Sequence, residues 1–173
     1  DDSSGELVAW VNLTDIAADQ DTMLCMYYGN SGCTSQQFAE VVWNSNYKAV
    51  WHLHESPTAK IHDSTLNDND GTSYGSMTTS DLTEGKVGKC IDFDGDDDYI
   101  TTPDSISLKP ESVSLQTWFK PQEIDPDPGF FLVKASYDMW GNADGRTYGF
   151  NWSGIENYIG GRFERDAKPQ QER

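Results

Sequence analysis

Hydrophobic and polar residues alternate in several short stretches of this chain, with the period of two that β-strands require. Residues 6–13 (ELVAWVNL) predict a first strand, and residues 22–28 (TMLCMYY) are so continuously apolar that they predict a strand covered on both faces. Residues 112–120 (SVSLQTWFK) alternate most regularly. One face of that strand would carry Val113, Leu115, Thr117 and Phe119. Further strands are predicted at residues 48–53, 71–74, 130–134, 146–152 and 157–163.

A single helix is predicted. Residues 34–37 (TSQQ) are suited to cap a short helix that runs through Asn44 and carries Phe38, Val41 and Val42 inward. Many short strands without helices between them indicate an all-β fold, namely an antiparallel β-sandwich or jelly roll with at most one short helix.

The stretch at residues 88–100 (GKCIDFDGDDDYI) predicts a hairpin around which the chain is organised. Residues 90–93 would form its first strand and residues 99–100 its second. Asp94-Gly95 is a strong turn signal between them, because Gly tolerates the positive φ of primed turns.

Composition restricts the possible partners. With 173 residues, of which 36% are hydrophobic, the chain is long enough for one domain, or one domain with an appendage. Its 29 acidic and 12 basic residues give a net charge of -17, which disfavours nucleic acid and anionic membrane surfaces and favours a cation or a neutral sugar polymer. No run of about 18 apolar residues predicts a membrane span.

The three cysteines form an odd count without the spacing of a disulfide framework or of a metal site. Cys25 and Cys33 could pair across the YYGNSG turn in an oxidising compartment and leave Cys90 buried. The polar opening DDSSGE predicts a processed or excised piece of a longer secreted protein.

The blocks VWHL, DSTLNDNDGT, GKVGKCIDFDGDDDYI and SVSLQTWFKP follow one another within residues 49–121. In this order they resemble the opening half of a concanavalin A-like, laminin G-like jelly-roll module of bacterial surface proteins. The earlier LVAWVNL, YYGN and VVWNSNY resemble the end of a bacterial domain of unknown function that often precedes such modules. Residues 1–46 would then be the C-terminal part of a preceding β-rich domain, or edge strands, and residues 47–173 a truncated laminin G-like domain.

The resemblance implies an extracellular or cell-surface location, binding of carbohydrate or glycoprotein, adhesion and, in many members, a structural calcium ion. Because few strands follow residue 48, the sandwich would be incomplete, and we expect self-association or strand completion by another chain. One buried interior is expected to contain Trp51, Leu53, Ile91, Phe93, Val113, Leu115 and Phe119.

Two acidic loops, residues 62–71 (HDSTLNDNDG) and residues 94–98 (DGDDD), offer the oxygen ligands that Ca²⁺ prefers, and residues 142–145 are a weaker third candidate. Neighbouring carboxylates repel one another, so these loops are either solvated Asx turns or neutralised by a cation. None fits the EF-hand template. The calcium ligands we expect are Asp63, Asn69, Asp70, Asp94 and Asp96.

Histidines offer a further metal hypothesis. His52 and His54 alternate on one face of a predicted strand, and His62 is next to Asp63, so a metal trio is conceivable. The alternative is that they are ordinary residues of a half-exposed strand face.

Exposed aromatic side chains suit sugar stacking, because a ring face packs on the C–H groups of a pyranose. Tyr137 and Trp140, in a predicted loop, are the first candidates, ahead of Trp118, and Tyr148 and Trp152 are further ones. Packing in the core is the alternative role for each.

Residues 123–127 (EIDPD) resemble the E-I-D-x-x-E motif of endo-glucanases of the same jelly-roll superfamily. Asp127 replaces the second Glu, and Pro121, Pro126 and Pro128 exclude a central strand there. A retaining mechanism would therefore lack its positioned carboxylate pair. We predict a non-catalytic module; the alternatives are a structural subunit of a surface or filament assembly and an endo-glucanase-type glycoside hydrolase.

Overall fold

The computed structural model describes residues 7–121, 129–134, 147–153 and 158–164. Backbone contacts divide the chain into a first unit, Asp1–Pro103, and a second unit, Asp104–Arg173. The described part of the chain is mostly non-helical, its paired strands are antiparallel, and its single α-helix is short. The prediction of an all-β chain with at most one short helix is thereby confirmed for the described residues.

The described residues of the first unit form the helix and four short strands. These are α1 (Ala39–Val42), β1 (Thr72–Tyr74), β2 (Leu82–Glu84), β3 (Lys89–Ile91) and β4 (Tyr99–Thr101). A 3-10 turn at Thr79–Asp81 precedes β2. Strand β1 pairs antiparallel with β4, and β2 pairs antiparallel with β3.

The strands predicted at the two ends of residues 88–100 correspond to β3 and β4, but the hairpin predicted between them is wrong. Strands β3 and β4 flank the acidic turn, but each pairs with an earlier strand and not with the other. Gly95 does have the expected positive φ, 80°. The turn nevertheless spans seven residues, 92–98, and Asp94 satisfies its backbone amides from within. The two strands that flank this loop pair with β2 and with β1, so they do not pair with each other across it.

The small apolar core of the first unit is centred on Ile61, which is fully buried, and on Ile91. The backbones of Ile61 and Gly71 exchange hydrogen bonds of 3.0 and 2.7 Å. A Cβ on Gly71 would lie 2.8 Å from Ile100 Cγ2. Only glycine at position 71 therefore allows Ile61 and Ile100 to pack against the backbone at this bridge. This packing holds the 62–71 loop against β1 and β4.

Several predicted strands of the first unit are wrong. Residues 7–13 and 22–28 form no strand, and the second stretch, expected to be covered on both faces, includes Met23 with 86% and Tyr27 with 93% of its surface exposed. Within residues 48–53, pairing is limited to an isolated bridge between Trp51 and Asp63. Alternation gives a strand a suitable surface, but the ladder needs a partner backbone, which these stretches lack among the described residues.

The predicted helix is confirmed only as the four-residue α1 within residues 34–44. Phe38 and Val41 are each 54% exposed, so their inward placement is wrong, while Val42 is half-buried. A single turn has too few hydrogen bonds to fix an apolar face against a core.

The second unit contains a three-stranded antiparallel sheet in the order β5-β6-β7. Its strands are β5 (Gly129–Lys134), β6 (Thr147–Ser153) and β7 (Tyr158–Glu164), which confirms the three predicted strands in this region. A short 3-10 turn, Ile106–Leu108, precedes them. The ring of Phe119 stacks on Phe131 of β5, and Phe131 stacks on Phe150 of β6, with centroid separations of 4.3 and 5.5 Å.

Residues 112–120, the most regular predicted strand, form none. Val113 and Leu115 are half-buried and Ser114 and Gln116 exposed, so the predicted alternation of burial is present without a strand ladder. Phe119 is 44% exposed, and in the first unit Phe93 is 42% exposed, so the expected deep burial is wrong for both. Phe93 follows the end of β3, where the chain leaves its ladder.

The described part of the chain contains no helical segment with the length and apolar character that a bilayer-spanning helix requires.

Asp104 forms two ion pairs in the second unit, accepting from Lys109 Nζ at 2.7 Å and from Lys134 Nζ at 2.9 Å. The hydrogen bond from Lys109, and then that from Lys134, lower the pKa of Asp104 to about 2. A carboxyl whose pKa is lowered by folding stabilises the protein above its ordinary pKa, and this contribution is lost as the pH falls through the folded-state value.

Replacing Asp104 with Asn is therefore expected to lower the melting temperature at neutral pH by a small amount, since the side chain is exposed. The difference from the wild-type protein should shrink as the pH falls and vanish near pH 2. Thermal melts across this pH range measure it, with Glu111→Gln as the control. A difference that did not change with pH would contradict the assignment.

Candidate metal centre

The acidic loop, residues 92–98, lies between β3 and β4 and is built around one carboxylate. Asp94 Oδ1 accepts backbone N–H bonds from Asp96 at 2.8 Å, Asp97 at 3.2 Å and Asp98 at 3.4 Å. These bonds lower the pKa of Asp94, and the bond from the Asp96 amide is the largest cause. Asp94 is therefore held ionised, and the loop has an ordered shape in spite of its charge.

Three carboxylates of this loop converge. Asp94, Asp97 and Asp98 each present an oxygen, and the three oxygens lie within 4.8 Å of one another. Asp98 Oδ2 accepts from the Asp94 amide at 3.2 Å, whereas Asp98 Oδ1 is buried without a hydrogen-bond partner. A buried carboxylate oxygen without a donor is costly, and carboxylates this close repel one another. A cation would relieve both costs.

The donor set fits calcium. Ca²⁺ takes about six to eight oxygens in flexible geometry, from carboxylates, backbone carbonyls and water. The triad, as we call Asp94, Asp97 and Asp98, supplies hard oxygen ligands alone and no nitrogen or sulfur. It would hold the ion by its carboxylates, and backbone oxygens and water would complete the shell.

The acidic loop is docked on the turn that follows β1. Asp97 Oδ1 accepts from both the backbone N–H and the Oγ of Ser76, each at 3.0 Å. Gly75 has a φ of 93°, and a Cβ there would lie 2.3 Å from the Asp97 carbonyl oxygen. The turn at residues 75–76 and the acidic loop therefore fit together only with glycine at position 75.

The other predicted ligand loop, residues 62–71, forms a separate hydrogen-bonded network. Asp63 Oδ1 accepts from the amides of Val50 and Thr65, both at 2.9 Å. Its Oδ2 accepts from Thr65 Oγ1 at 2.9 Å and from the backbone N–H of Asn69 at 3.0 Å. Asp63 is only 7% exposed, and its carboxylate ties the backbone of Val50 to the backbone of the 62–71 loop.

Asp70 completes this network. Its Oδ1 accepts from the Asp63 amide at 2.8 Å, and its Oδ2 pairs with Lys60 Nζ at 2.5 Å. The pKa of Asp70 is lowered, first by the hydrogen bond from Lys60 and then by the hydrogen bond from the backbone N–H of Asp63. The same hydrogen bond raises the pKa of Lys60. Asn69 Nδ2 donates to the Lys48 carbonyl at 2.8 Å.

Of the five predicted ligands, Asp94 is the one that belongs to the triad. Asp96 is exposed and lies outside it, while Asp63, Asn69 and Asp70 meet one another in the 62–71 network. Asp97 and Asp98 were missed as the partners of Asp94. Their spacing of three and four residues from Asp94 was the available signal, because a tight loop returns such residues to the same side.

The histidines do not form the conceivable metal trio, since the triad is the cluster of potential ligands found among the described residues. The ring of His52 stacks on Trp10 with a centroid separation of 5.2 Å. Desolvation, and then the neighbouring His54, lower the pKa of His52. His62 Nδ1 lies 3.8 Å from Asp70 Oδ1. These contacts are those of ordinary packed or surface histidines.

All three cysteines are free thiols: Cys25 and Cys33 are exposed, and Cys90 is half-buried. The pairing considered for Cys25 and Cys33 is not formed in this structure.

Among the predicted sugar-stacking residues, Trp118 is 71% exposed. Tyr148 is half-buried and donates its hydroxyl to the Leu108 carbonyl at 2.9 Å, and burial raises its pKa. Tyr137 and Trp140 lie outside the described residues, as do the 123–127 motif and the 142–145 loop. The side chain of Trp152 is likewise outside the described part.

One exposed aromatic pair was not predicted from the sequence. Tyr74 on β1 lies directly opposite Tyr99 on β4, and their rings are nearly parallel, with centroids 5.1 Å apart and an interplanar angle of 12°. The rings are 47% and 51% exposed. Two aromatic residues at the ends of predicted strands were the signal, but the pairing of β1 with β4 was needed to bring them together.

Comparison of the chain with protein-family models, with curated proteins and with solved structures finds no match.

Proposed function

We propose that this chain is a non-catalytic extracellular or cell-surface module that binds carbohydrate or glycoprotein and serves adhesion. Its antiparallel strands would belong to a β-sandwich of the concanavalin A-like, laminin G-like type, and calcium would stabilise its loop rim. The observation that carries the calcium part of the proposal is the triad with its unpartnered Asp98 Oδ1. The resemblance of residues 49–121 to laminin G-like modules supports the same function.

Calcium would act here as a structural ion. The loop contributes several of the 29 acidic residues of a chain with a net charge of -17, so a bound divalent ion removes repulsion where it is locally greatest. Since Asp97 also accepts from Ser76, an ion at the triad would strengthen the attachment of the acidic loop to the 75–76 turn.

Calcium is expected to raise the melting temperature by several degrees. At a free concentration about 100-fold above the Kd, a ligand that binds only the native state adds about 2.7 kcal/mol of stability. A gain of that size corresponds to several degrees for a chain of this length. Thermal melts in millimolar calcium and in chelator, at matched ionic strength, measure the shift.

The matched variants are Asp97→Asn and Asp96→Asn. Both remove one charge from the same loop, but Asp97 belongs to the triad and Asp96 does not. The amide at position 97 keeps an oxygen that can accept from Ser76, so the turn remains attached. We expect the calcium shift to be lost in Asp97→Asn and kept in Asp96→Asn. Coincident wild-type melts with and without calcium would leave the triad as a solvated turn.

A glycan array tests the carbohydrate part of the proposal. A binding module should give saturable signals with at least one glycan, and a structural subunit should give none. Release of reducing sugar from β-glucans would instead reveal the endo-glucanase-type alternative.

A structural subunit of a surface or filament assembly is the second candidate, and one observation favours it. Within residues 22–28, Met23, Leu24, Met26, Tyr27 and Tyr28 are 62–93% exposed, which is unusual for apolar side chains without a partner. This stretch would supply a strand to another chain, in line with self-association or strand completion. Light scattering after size-exclusion chromatography would detect the oligomer, and a stable monomer at all concentrations would exclude it.

A further inference from the structure

A cleft of about 380 Å³ lies in the first unit, on the side of β1. The cleft is lined by residues 57–60 and by residues 72–75 with Met77. Its volume falls within the range of about 300–1,000 Å³ that is typical of small-ligand sites. The cleft is outside the triad and contains none of the residues that the sequence predicted for ligand binding.

The cleft is lined by one aromatic side chain, that of Tyr74. Its cross-strand partner Tyr99 does not line the cleft. Tyr99 covers one face of the Tyr74 ring and so restricts its rotation, while nearly half of Tyr74 remains exposed. A fixed, partly exposed ring beside a cleft is a surface on which the C–H face of a pyranose can pack, at little cost in side-chain entropy.

The cleft is nearly neutral in a strongly acidic chain. Lys60 is the charged residue of its lining, and Asp70 pairs with that lysine at 2.5 Å. The remaining polar groups of the lining are hydroxyl-bearing side chains and backbone, including Thr58 and Thr72. Hydroxyl groups and peptide groups match the hydroxyls of a neutral sugar. An anionic ligand would meet a lysine that is already compensated and a protein of charge -17.

We propose that this cleft binds a neutral saccharide, with Tyr74 as the stacking surface. The inference rests on the proposed function and assigns its binding site. Tyr99 is a positioning residue, because it acts on the sugar through the Tyr74 ring. Asp97 is another, because Gly75 at the edge of the cleft is held against the Asp97 backbone. The acidic loop and the cleft thus share one turn, at residues 75–76.

Three neutral hexasaccharides, cellohexaose, laminarihexaose and chitohexaose, serve as probes in calorimetric titrations of the whole chain, and polygalacturonate serves as the anionic comparison. Tyr74→Ala should weaken binding of the preferred hexasaccharide about tenfold or more, whereas Tyr74→Phe should stay within about threefold because the ring remains. Ala59→Trp places a large ring in the lining of the cleft, at a residue outside β1 and β4, and should abolish binding.

Tyr27→Ala is the aromatic control, because it removes an exposed ring of the same unit outside the cleft and should bind as the wild-type protein does. Trp118→Ala removes an exposed ring of the second unit and tests the competing stacking residue that the sequence predicted. If Tyr74→Ala fails to fold, as judged by its melt, Ala59→Trp decides the question.

The outcomes separate the inference from the proposed function. Wild-type affinity in both Tyr74→Ala and Ala59→Trp overturns the cleft assignment, and loss of binding in Trp118→Ala would then place the sugar in the second unit and leave the proposed function intact. Binding of polygalacturonate in preference to the neutral probes overturns the neutral-saccharide assignment. Absence of wild-type binding to every probe and to a glycan array overturns both proposals.

Discussion

Replacing Asp63 with Asn is expected to lower the free energy of unfolding by about 2–4 kcal/mol, because a buried acceptor shared by several donors is lost. Each carboxylate oxygen of Asp63 accepts two hydrogen bonds. The side-chain amide of asparagine keeps one acceptor oxygen. Its NH₂ group replaces the other oxygen and would face two hydrogen-bond donors without an acceptor between them. With the side chain 7% exposed, water cannot replace the lost acceptor. Urea unfolding in chelator measures the change without any contribution from calcium.

Asp68→Asn is the matched control for this variant. It makes the same change in the same loop at an exposed residue, and its φ of 51° is one that asparagine tolerates. We expect Asp68→Asn to change stability by less than about 0.5 kcal/mol. If Asp63→Asn were as mild as Asp68→Asn, the 62–71 network could not be what holds this part of the fold together.

Replacing Gly75 with Ala is expected to destabilise the protein by about 2–5 kcal/mol, from two causes. A residue with a Cβ is strained at positive φ by about 1–2 kcal/mol. Its Cβ would also lie 2.3 Å from the Asp97 carbonyl oxygen, and relieving such overpacking costs about 1–3 kcal/mol more. The turn would have to move away from the acidic loop, with loss of the Ser76 to Asp97 hydrogen bonds.

Gly95→Ala separates these two causes. Gly95 also has a positive φ, 80°, but a Cβ there would meet no atom within 4 Å. Chemical denaturation of both variants should therefore show a clearly larger loss for Gly75→Ala, and the difference measures the contact between turn and loop. Equal losses in the two variants would mean that the acidic loop is not docked on the 75–76 turn.

The parts of the fold that local sequence determines were predicted. Strand β1 and strands β5 to β7 coincide with predicted strands. Gly71 and Gly75 bound β1 on either side, and the strands of the second unit carry closely spaced aromatic and β-branched residues. These signals lie within each strand or directly beside it and do not depend on which distant segment pairs with it.

Pairing between segments could not be predicted in the same way. Residues 112–120 alternate more regularly than β1 does, yet β1 is a strand because β4 supplies its partner backbone. The hairpin expected around Asp94-Gly95 failed for a related reason. A turn signal cannot tell a two-residue hairpin from a longer loop that is closed by its own aspartate side chain.

The loop that forms the candidate site was predicted, but the set of carboxylates that converge in it was not. Composition identified the acidic loop and selected Asp94, but the side chains that converge with it depend on how the loop folds over the 75–76 turn. Asp63 was selected as a ligand because it stands in an acidic loop. Its actual partners include Val50, thirteen residues away, which no spacing rule relates to it. The Tyr74 cleft was not predicted, because its lining residues come from a polar passage without a sequence motif.

We expect calcium in the acidic loop to tighten binding of a neutral saccharide at the Tyr74 cleft, because that loop holds the edge of the cleft. Calorimetric titration of the wild-type protein with the preferred neutral hexasaccharide, once in millimolar calcium and once in chelator at matched ionic strength, tests it most directly. Saturable binding with one site per chain, tighter in calcium than in chelator, is the predicted result. Absence of saturable binding in both buffers would contradict the proposed saccharide binding, and equal affinity in both would contradict the role of the loop.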